Sequence, residues 1–148
     1  MIFSQFTKYL ELIRAAMKAN SVSYEYLDGK TSPKARQESV DRFQEGQTDA
    51  FLISLKAGGT GLNLTAADYV IHMDPWWNPS VEDQATDRSH RIGQERPVIV
   101  YRIIANGTVE DQILSLHEDK RDLVASVMDG TQKAAKLSTD ELLNLIRA

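Results

Sequence analysis

Residues 50–54, AFLIS, and residues 69–73, YVIHM, decide the fold class of this chain. Each is a short, nearly continuous apolar run, which is typical of a strand that is buried on both faces. A glycine-rich loop, LKAGGTGLNLTAAD at 55–68, joins the two runs. Because such strands occur in parallel sheets that are covered by helices, the two runs predict an α/β protein.

The flanking segments complete an alternation of strands and helices. Further strands are predicted at MIFS (1–4), VSYEYLD (22–28) and VIVYRIIA (98–105). Helices are predicted at 5–20, 31–46, 79–92, 109–128 and 138–148, from apolar spacing and capping residues. The order βαβαββαβαα predicts a parallel sheet with helices on both faces. We expect 1–128 to form one domain, followed by a polar linker and terminal helix at 129–148.

Composition excludes several classes of protein. The chain has 148 residues, of which 42% are hydrophobic and 26% charged, as in an ordinary globular domain. No apolar run approaches the roughly 20 residues that span a bilayer, so no membrane partner is expected. With no cysteine and three scattered histidines, we predict no metal ligand.

Net charge gives no general support to nucleic-acid binding. The formal charge is −4, whereas nucleic-acid-binding domains usually carry a basic footprint. Any such site must therefore be a local patch. One candidate is the set of arginines at positions 88, 91, 96 and 102.

Two loops follow predicted strands, where parallel sheets bind their ligands. In the first, GGTG at 58–61 lets the backbone approach a phosphate, and Lys56 could hold an oxyanion. This loop lacks the Gly-Lys-Thr/Ser of a phosphate loop, and a tight structural turn is an equal alternative. In the second, DPWWNP at 74–79, one tryptophan could stack on a base or sugar–phosphate backbone. Alternatively, both tryptophans are core or interface anchors.

A third candidate is QATDRSHRIGQERP at 84–97. On a helix, Arg88 and Arg91 share a face, with Gln84 one turn earlier. Guanidinium forks grip phosphate oxygens with paired hydrogen bonds. Spacing alone favours the alternative, a solvated face on which Arg88 pairs with a nearby carboxylate. His72, at the end of a buried strand, is predicted to be a core histidine.

Four blocks occur in a fixed order: MIFSQFTKYLELI, YLDGKTSPKARQESVDRFQ, FLISLKAGGTGLNLTAADYVIHMDPWWNP and DQATDRSHRIGQERPVIVYRII. Together they resemble the second-lobe motifs of Swi/Snf-type DNA translocases in helicase superfamily 2. The likeness covers residues 2 to about 115, and Gly93-Gln94 stands where RNA helicases of the superfamily tend to have Gly-Arg. The phosphate loop and acidic Mg²⁺ motif of the family's first lobe do not occur in this sequence. The resemblance therefore implies a RecA-like second lobe only.

The resemblance also implies roles for particular residues. Arg88 and Arg91 match the family's catalytic arginine fingers, which reach the γ-phosphate held by the other lobe. The nucleotide-binding set comprises Gln84, Gly59, Gly61, Arg88 and Arg91. The DNA-binding set comprises Ser4, Gln5, Lys56, Thr60, Trp76 and Trp77. Contacts of the latter kind position a strand without reading its sequence.

Partners follow from the same resemblance. The family uses ATP with Mg²⁺, both held mainly by the N-terminal RecA-like lobe of the same parent, and moves along double-stranded DNA. Nucleoprotein or RNA polymerase could be the cargo, and the isolated chain is expected to be inactive. A prokaryotic cytoplasm or nucleoid is favoured because no basic import cluster is visible; a eukaryotic protein would be nuclear. The alternatives are a non-catalytic nucleic-acid-binding α/β module and a small cofactor-binding enzyme, which would need a G-x-G-x-x-G that the sequence lacks.

Overall fold

The computed structural model describes residues 1–57, 62–89 and 96–128, with the side chains of the last helix described as far as residue 118. Strands and helices alternate along these residues, except that the third and fourth strands follow each other without a helix between them. Their bounds are β1 Ile2–Ser4, α1 Thr7–Ala19, β2 Tyr24–Leu27, α2 Pro33–Gln44, β3 Ala50–Ser54, β4 Tyr69–His72, α3 Pro79–Thr86, β5 Ile99–Arg102 and α4 Val109–Met128. Residues 129–148, predicted as linker and helix, lie outside the described residues.

The five strands form one sheet in the order β2-β3-β1-β4-β5, and every neighbouring pair is parallel. Strand β1 lies at the centre. Its Ser4 is in register with Ser54 of β3, and its Phe3 with His72 of β4. The carboxyl ends of three neighbouring strands therefore meet at one edge. The predicted α/β fold with a parallel sheet is confirmed.

One face of the sheet carries most of the core. Phe3, Phe51, Ile53 and Val70 project from four sites on that face and have no exposed surface. Helices α2 and α3 and the segment 62–67 cover them, through side chains that include Val40, Phe43, Leu64 and Ala85. In β3 the residues that point to the other face, Leu52 and Ser54, are buried as well, which is why this strand reads as a continuous apolar run.

The opposite face is covered unevenly. Helix α1 packs against β1 and β3. On the β4–β5 half of this face, Tyr69 is 53% exposed and Tyr101 is 50% exposed, and their rings stack with centroids 6.4 Å apart. Ile99, in register with Tyr69, is also exposed. We refer to Tyr69, Ile99 and Tyr101 as the outer tyrosine face.

Several predicted helix ends are confirmed. The hydroxyl oxygen of Ser32 accepts a hydrogen bond from the amide of Ala35 at 3.3 Å, and Pro33 is the first residue of α2. Gly46, just after α2, has φ +72°, a conformation that favours glycine. Thr108 accepts from the amide of Glu110 at 3.2 Å, and α4 has the predicted bounds.

The predicted extent of α3 is wrong. The sequence predicted a helix to about residue 92, but α3 ends at Thr86. Turns follow, in which the amide of Ser89 donates to the carbonyl of Thr86 at 3.0 Å. The carbonyl of Arg88 accepts a hydrogen bond from the amide of Leu64 at 3.0 Å. The turns after α3 are therefore bonded to the segment that follows the glycine loop. Gln84 and Arg88 consequently do not share one continuous helix.

Candidate functional site

The segments that follow β1, β3, β4 and β5 lie at one end of the sheet; we call them the carboxyl edge (residues 5–6, 55–57, 73–78 and 103–108). A groove of about 510 Å³ opens there between α1 and the start of α4. Its lining is mainly apolar and includes Phe6, Tyr9, Leu12, Met73 and Ile103. The predicted site residues that the structure describes lie outside this groove, so it is not their common binding pocket.

Ser4 joins β1 to the turn after β4. Its side chain is 1% exposed, and its hydroxyl donates to Oδ2 of Asp74 while accepting from the amide of Phe6 at 3.0 Å. The amide of Gln5 donates to Oδ1 of Asp74 at 3.0 Å. Burial raises the pKa of the Asp74 carboxyl above its ordinary value, although the hydrogen bonds from Gln5 and Ser4 oppose that shift.

In this structure the Ser4 hydroxyl points into the domain, so the expected contact with a DNA phosphate stays a prediction that its position does not support. A buried hydroxyl that already bonds a carboxylate presents no donor to an external anion. The Gln5 side chain also turns inward, since its Nε2 donates to the carbonyl of Pro75 at 3.3 Å. Both residues fix the geometry of the carboxyl edge.

Other predicted residues lie at the surface. Lys56, two residues beyond β3, is exposed, as is Gln84 on α3. The chain order places Lys56 directly before Ala57, whose carbonyl accepts from Nη1 of Arg36 at 3.1 Å. Gly59, Thr60, Gly61 and Arg91 lie outside the described residues.

The two adjacent tryptophans differ in their exposure to solvent. Trp76 packs against the core, whereas Trp77 is 59% exposed. Their ring centroids lie 6.3 Å apart with an interplanar angle of 43°. Trp76 therefore anchors packing, and Trp77 is the tryptophan that faces outward.

Polar groups of α3 and α4 hold the backbone of Trp76. Its amide donates to Oε1 of Glu82 at 2.7 Å, and its carbonyl lies 2.5 Å from Nε2 of His117. Because a carbonyl can only accept, Nε2 of His117 must carry the proton. Glu82 has no exposed surface, and its Oε2 accepts from Nε of Arg102 at 2.9 Å.

Sequence reasoning missed the roles of Glu82, His117 and Asp74. A signal for Glu82 was available: the buried residues of α3 are Pro79, Glu82 and Ala85, which recur every three positions. A carboxylate on such a stripe must be paired, because an unpaired buried charge is strongly unfavourable. The contact between His117 and Trp76 spans 41 residues and left no local pattern.

The predicted arginine patch needs correction. Arg102 bonds Glu82 and lies 3.8 Å from the Asp83 carboxylate, and Arg96 lies 2.7 Å from Asp68. These ion pairs offset the positive charge of two of the four arginines.

Arg88 also differs from expectation. Its side chain is 3% exposed, so the guanidinium does not project from the rim of the domain. Its backbone carbonyl holds Leu64, which places the residue beside the segment after the glycine loop. The Arg88 guanidinium is therefore buried within the domain in this structure.

His72 is a core histidine, as predicted. Its side chain is 2% exposed, its Nε2 lies 3.0 Å from Oγ1 of Thr86, and its ring stacks on Phe3. Burial is the main cause that lowers the pKa of His72, and the neighbouring charge of Glu82 opposes that effect. The residue joins β4 to the end of α3.

Two general features complete the description. Within the ranges that the structure describes, no three His, Asp or Glu side chains cluster so as to hold a metal ion. Among the helices of those same ranges, none has the length and apolarity to cross a membrane.

Comparison with known proteins gives consistent matches. Residues 1–93 match the family described as helicase conserved C-terminal domain. The helicase-like transcription factor CHR28 of Arabidopsis thaliana is 47% identical over 146 residues, which is 96% of this chain and 15% of that protein. The putative ATP-dependent helicase/translocase YwqA of Bacillus subtilis is 42% identical over 98% of this chain and 16% of that protein.

A solved structure agrees with the fold. The C-terminal part of the Fun30 ATPase domain superposes with a TM-score of 0.75 at 37% identity, covering 78% of this chain and 38% of that one. The chain thus spans about 15% of the length of the curated relatives described above. It belongs to the helicase conserved C-terminal domain family and has the RecA-like fold of the second lobe of Swi/Snf-type superfamily 2 proteins.

Proposed function

We propose that the chain is the second motor lobe of an ATP-dependent translocase of double-stranded DNA. In this proposal it completes a nucleotide site that the first lobe of the same parent holds, and it contacts the DNA backbone. The observation that carries the proposal is the pair of exposed side chains at the carboxyl edge. Lys56 follows β3 and Trp77 follows β4, on either side of the central strand.

This pair suits a sugar–phosphate backbone. An ammonium group attracts phosphates, and an aromatic face stacks on bases or sugars without selecting a sequence. Sheet neighbours lie about 4.8 Å apart, so strands separated by one strand lie about 10 Å apart. The two side chains can therefore contact one nucleic acid. In the proposal, Thr60 adds a contact through its backbone amide.

The nucleotide half of the proposal rests on Gln84, Arg88 and Arg91, with Gly59 and Gly61 linking nucleotide and DNA. A fixed guanidinium stabilises the charge that develops on the transferring phosphoryl group. Arg91 is the first candidate for this role. Arg88, being 3% exposed, can act in the same way only if its side chain leaves its buried position when the lobes close.

ATP with Mg²⁺ supplies the phosphoryl group and the metal charge that neutralises it. We assign the metal ligands to the first lobe, because the described residues of this chain offer no cluster that could hold the ion. Closure of the two lobes around ATP and their release after hydrolysis would alternate the grip on DNA. Because the chain resembles Swi/Snf-type translocases, we favour movement along a duplex over strand separation.

The test compares the isolated chain with its two-lobe parent. We expect the parent to hydrolyse ATP faster when duplex DNA is added, and the isolated chain to show no turnover. In the parent, Lys56→Ala combined with Trp77→Ala should abolish most of the DNA stimulation while basal hydrolysis persists. Lys34→Ala, which removes an exposed lysine from α2, is the matched control.

Two outcomes would overturn the proposal. Robust turnover by the isolated chain would show that one lobe suffices, and full DNA stimulation of the double variant would remove the assigned DNA contacts. If the parent binds DNA through these residues but never hydrolyses ATP, the alternative of a non-catalytic binding module is correct.

A further inference from the structure

We propose that Glu82 and His117 are positioning residues that hold Trp77 outward, ready to contact DNA. The proposal rests on the proposed function for the identity of the ligand. Its structural basis, the fixed backbone of Trp76, can be tested without DNA.

The first step concerns the peptide groups on either side of Trp76. Glu82 accepts from the Trp76 amide at 2.7 Å, and His117 donates to the Trp76 carbonyl over 2.5 Å. The carbonyl belongs to the peptide group that joins Trp76 to Trp77. Since a peptide group is planar, holding its oxygen fixes the direction in which the chain enters Trp77.

The second step concerns the far side of Trp77. The next residue, Asn78, caps α3, where its Oδ1 accepts from the amide of Ser80 at 3.2 Å. Pro79 follows with its restricted φ. Trp77 therefore lies between a backbone held by two helices and a rigid helix start. Its ring is 59% exposed although the adjacent Trp76 packs in the core.

The third step concerns Glu82, which is itself held. The side chain has no exposed surface, and Arg102 of β5 bonds its second oxygen at 2.9 Å. A buried carboxylate with both oxygens satisfied has little freedom to move. The network thus links residues 74–79, which we call the tryptophan turn, to α3, β5 and α4.

The consequence is a pre-oriented aromatic contact. An exposed tryptophan on a loose loop must be ordered when it binds, which weakens binding. A tryptophan on a fixed backbone avoids most of that loss. Removing the hydrogen bond from His117 should therefore weaken DNA binding although His117 itself lies buried and away from the ligand.

The first experiment uses fluorescence of the isolated chain. The sequence contains two tryptophans, so Trp76→Phe leaves Trp77 as the single tryptophan, which can be excited selectively over the tyrosines. In that background, the fluorescence anisotropy of Trp77 should decay slowly, because the ring moves little relative to the domain. His117→Leu removes the donor and should increase the fast component of the anisotropy decay, whereas His117→Gln keeps a side-chain donor and should restore restriction. Circular dichroism checks that each variant is folded.

The second experiment needs no variant and covers the case in which His117→Leu does not fold. Hydrogen exchange at the backbone amide of Trp76 should be slowed well beyond that of an exposed loop amide. Exchange at the rate of a free amide, or a Trp77 decay that His117→Leu leaves unchanged in a folded chain, would overturn the proposal.

The third experiment measures function in the two-lobe parent. We expect His117→Leu to weaken affinity for duplex DNA by about 3- to 10-fold, with His117→Gln close to wild type and basal ATP hydrolysis unchanged. This range corresponds to about 0.65–1.4 kcal/mol. If the anisotropy changes while DNA affinity does not, the positioning network is real and Trp77 is not a DNA contact. That outcome contradicts the proposed function separately from the structural inference.

Discussion

The hydroxyl of Ser4 donates a hydrogen bond to the carboxylate of Asp74, across the carboxyl ends of two neighbouring strands. The two residues are 70 positions apart in the chain. The amide of Gln5 donates to the other oxygen of the same carboxylate at 3.0 Å. The turn after β4 is therefore tied to the end of β1, and the position of the tryptophan turn depends on that link.

Ser4→Ala should destabilise the fold. The substitution leaves the Asp74 carboxylate short of a donor and the amide of Phe6 without its acceptor, in a buried setting. Buried groups left unsatisfied in this way cost about 1–3 kcal/mol. Urea denaturation measures the change, with the exposed Ser80→Ala as control, expected within about 0.5 kcal/mol of wild type. Equal stability of the two variants would contradict the structural role of Ser4.

Asp74→Asn should change how stability depends on pH. Because burial raises the pKa of Asp74 in the folded chain, the folded state holds this proton more tightly than the unfolded state. The contribution to stability is fully present below the ordinary pKa of 3.8 and is lost as pH rises through the raised value. Relative to wild type, the variant should therefore gain stability as pH rises from 3.8 through the raised value, and the difference should be constant above it. Denaturation curves at a series of pH values test this, and a difference that stays the same at every pH would refute it.

Glu25→Gln should show the opposite pH dependence. The hydrogen bond from Arg42 lowers the pKa of Glu25, so ionised Glu25 stabilises the fold above its ordinary pKa of 4.5. That contribution is lost as pH falls through the lowered value in the folded chain. The variant should therefore be less stable than wild type near neutral pH, and the gap should close in acid. Thermal unfolding at several pH values measures it.

Lys56→Ala should weaken DNA binding by the two-lobe parent without regard to sequence. Removing one phosphate contact should lower affinity uniformly and reduce the slope of log affinity against log salt by about 1. Titrations of labelled duplexes at several salt concentrations give both quantities. An unchanged slope, with Lys34→Ala as the comparison, would place Lys56 away from the DNA.

Arg91→Lys in the two-lobe parent should reduce ATP turnover by about 10³–10⁵-fold, because lysine cannot reproduce the guanidinium fork at the transition state. ATP affinity should change little, since the first lobe is proposed to hold most of the nucleotide. Steady-state hydrolysis and equilibrium nucleotide binding separate the two effects. Retained turnover would remove the finger assignment.

The sequence predicted the sheet well because its strands are defined by local composition. The apolar run AFLIS became β3 at the predicted bounds, and Thr108 capped α4 where expected. Capping residues and apolar runs act over a few positions, so they can be read directly. The site was harder because its contacts join distant residues.

Two cases show this difference. Ser4 was expected at a DNA phosphate but is buried, and its hydrogen-bond partner, Asp74, lies in the turn after β4, 70 positions away. The end of α3 at Thr86 was missed because the carbonyl of Arg88 bonds Leu64 across a loop. Tertiary hydrogen bonds of this kind have no periodicity, and spacing alone cannot reveal them.

The outer tyrosine face has a practical consequence for the isolated chain. Among the described residues, β5 is an edge strand of the sheet. The stacked rings of Tyr69 and Tyr101, on β4 and β5, are exposed to solvent. A strand with unpaired amides and carbonyls next to apolar rings is a template on which a second molecule can add. Colloidal behaviour, rather than the intrinsic strength of the fold, should therefore limit how far this lobe can be concentrated when it is handled without its parent.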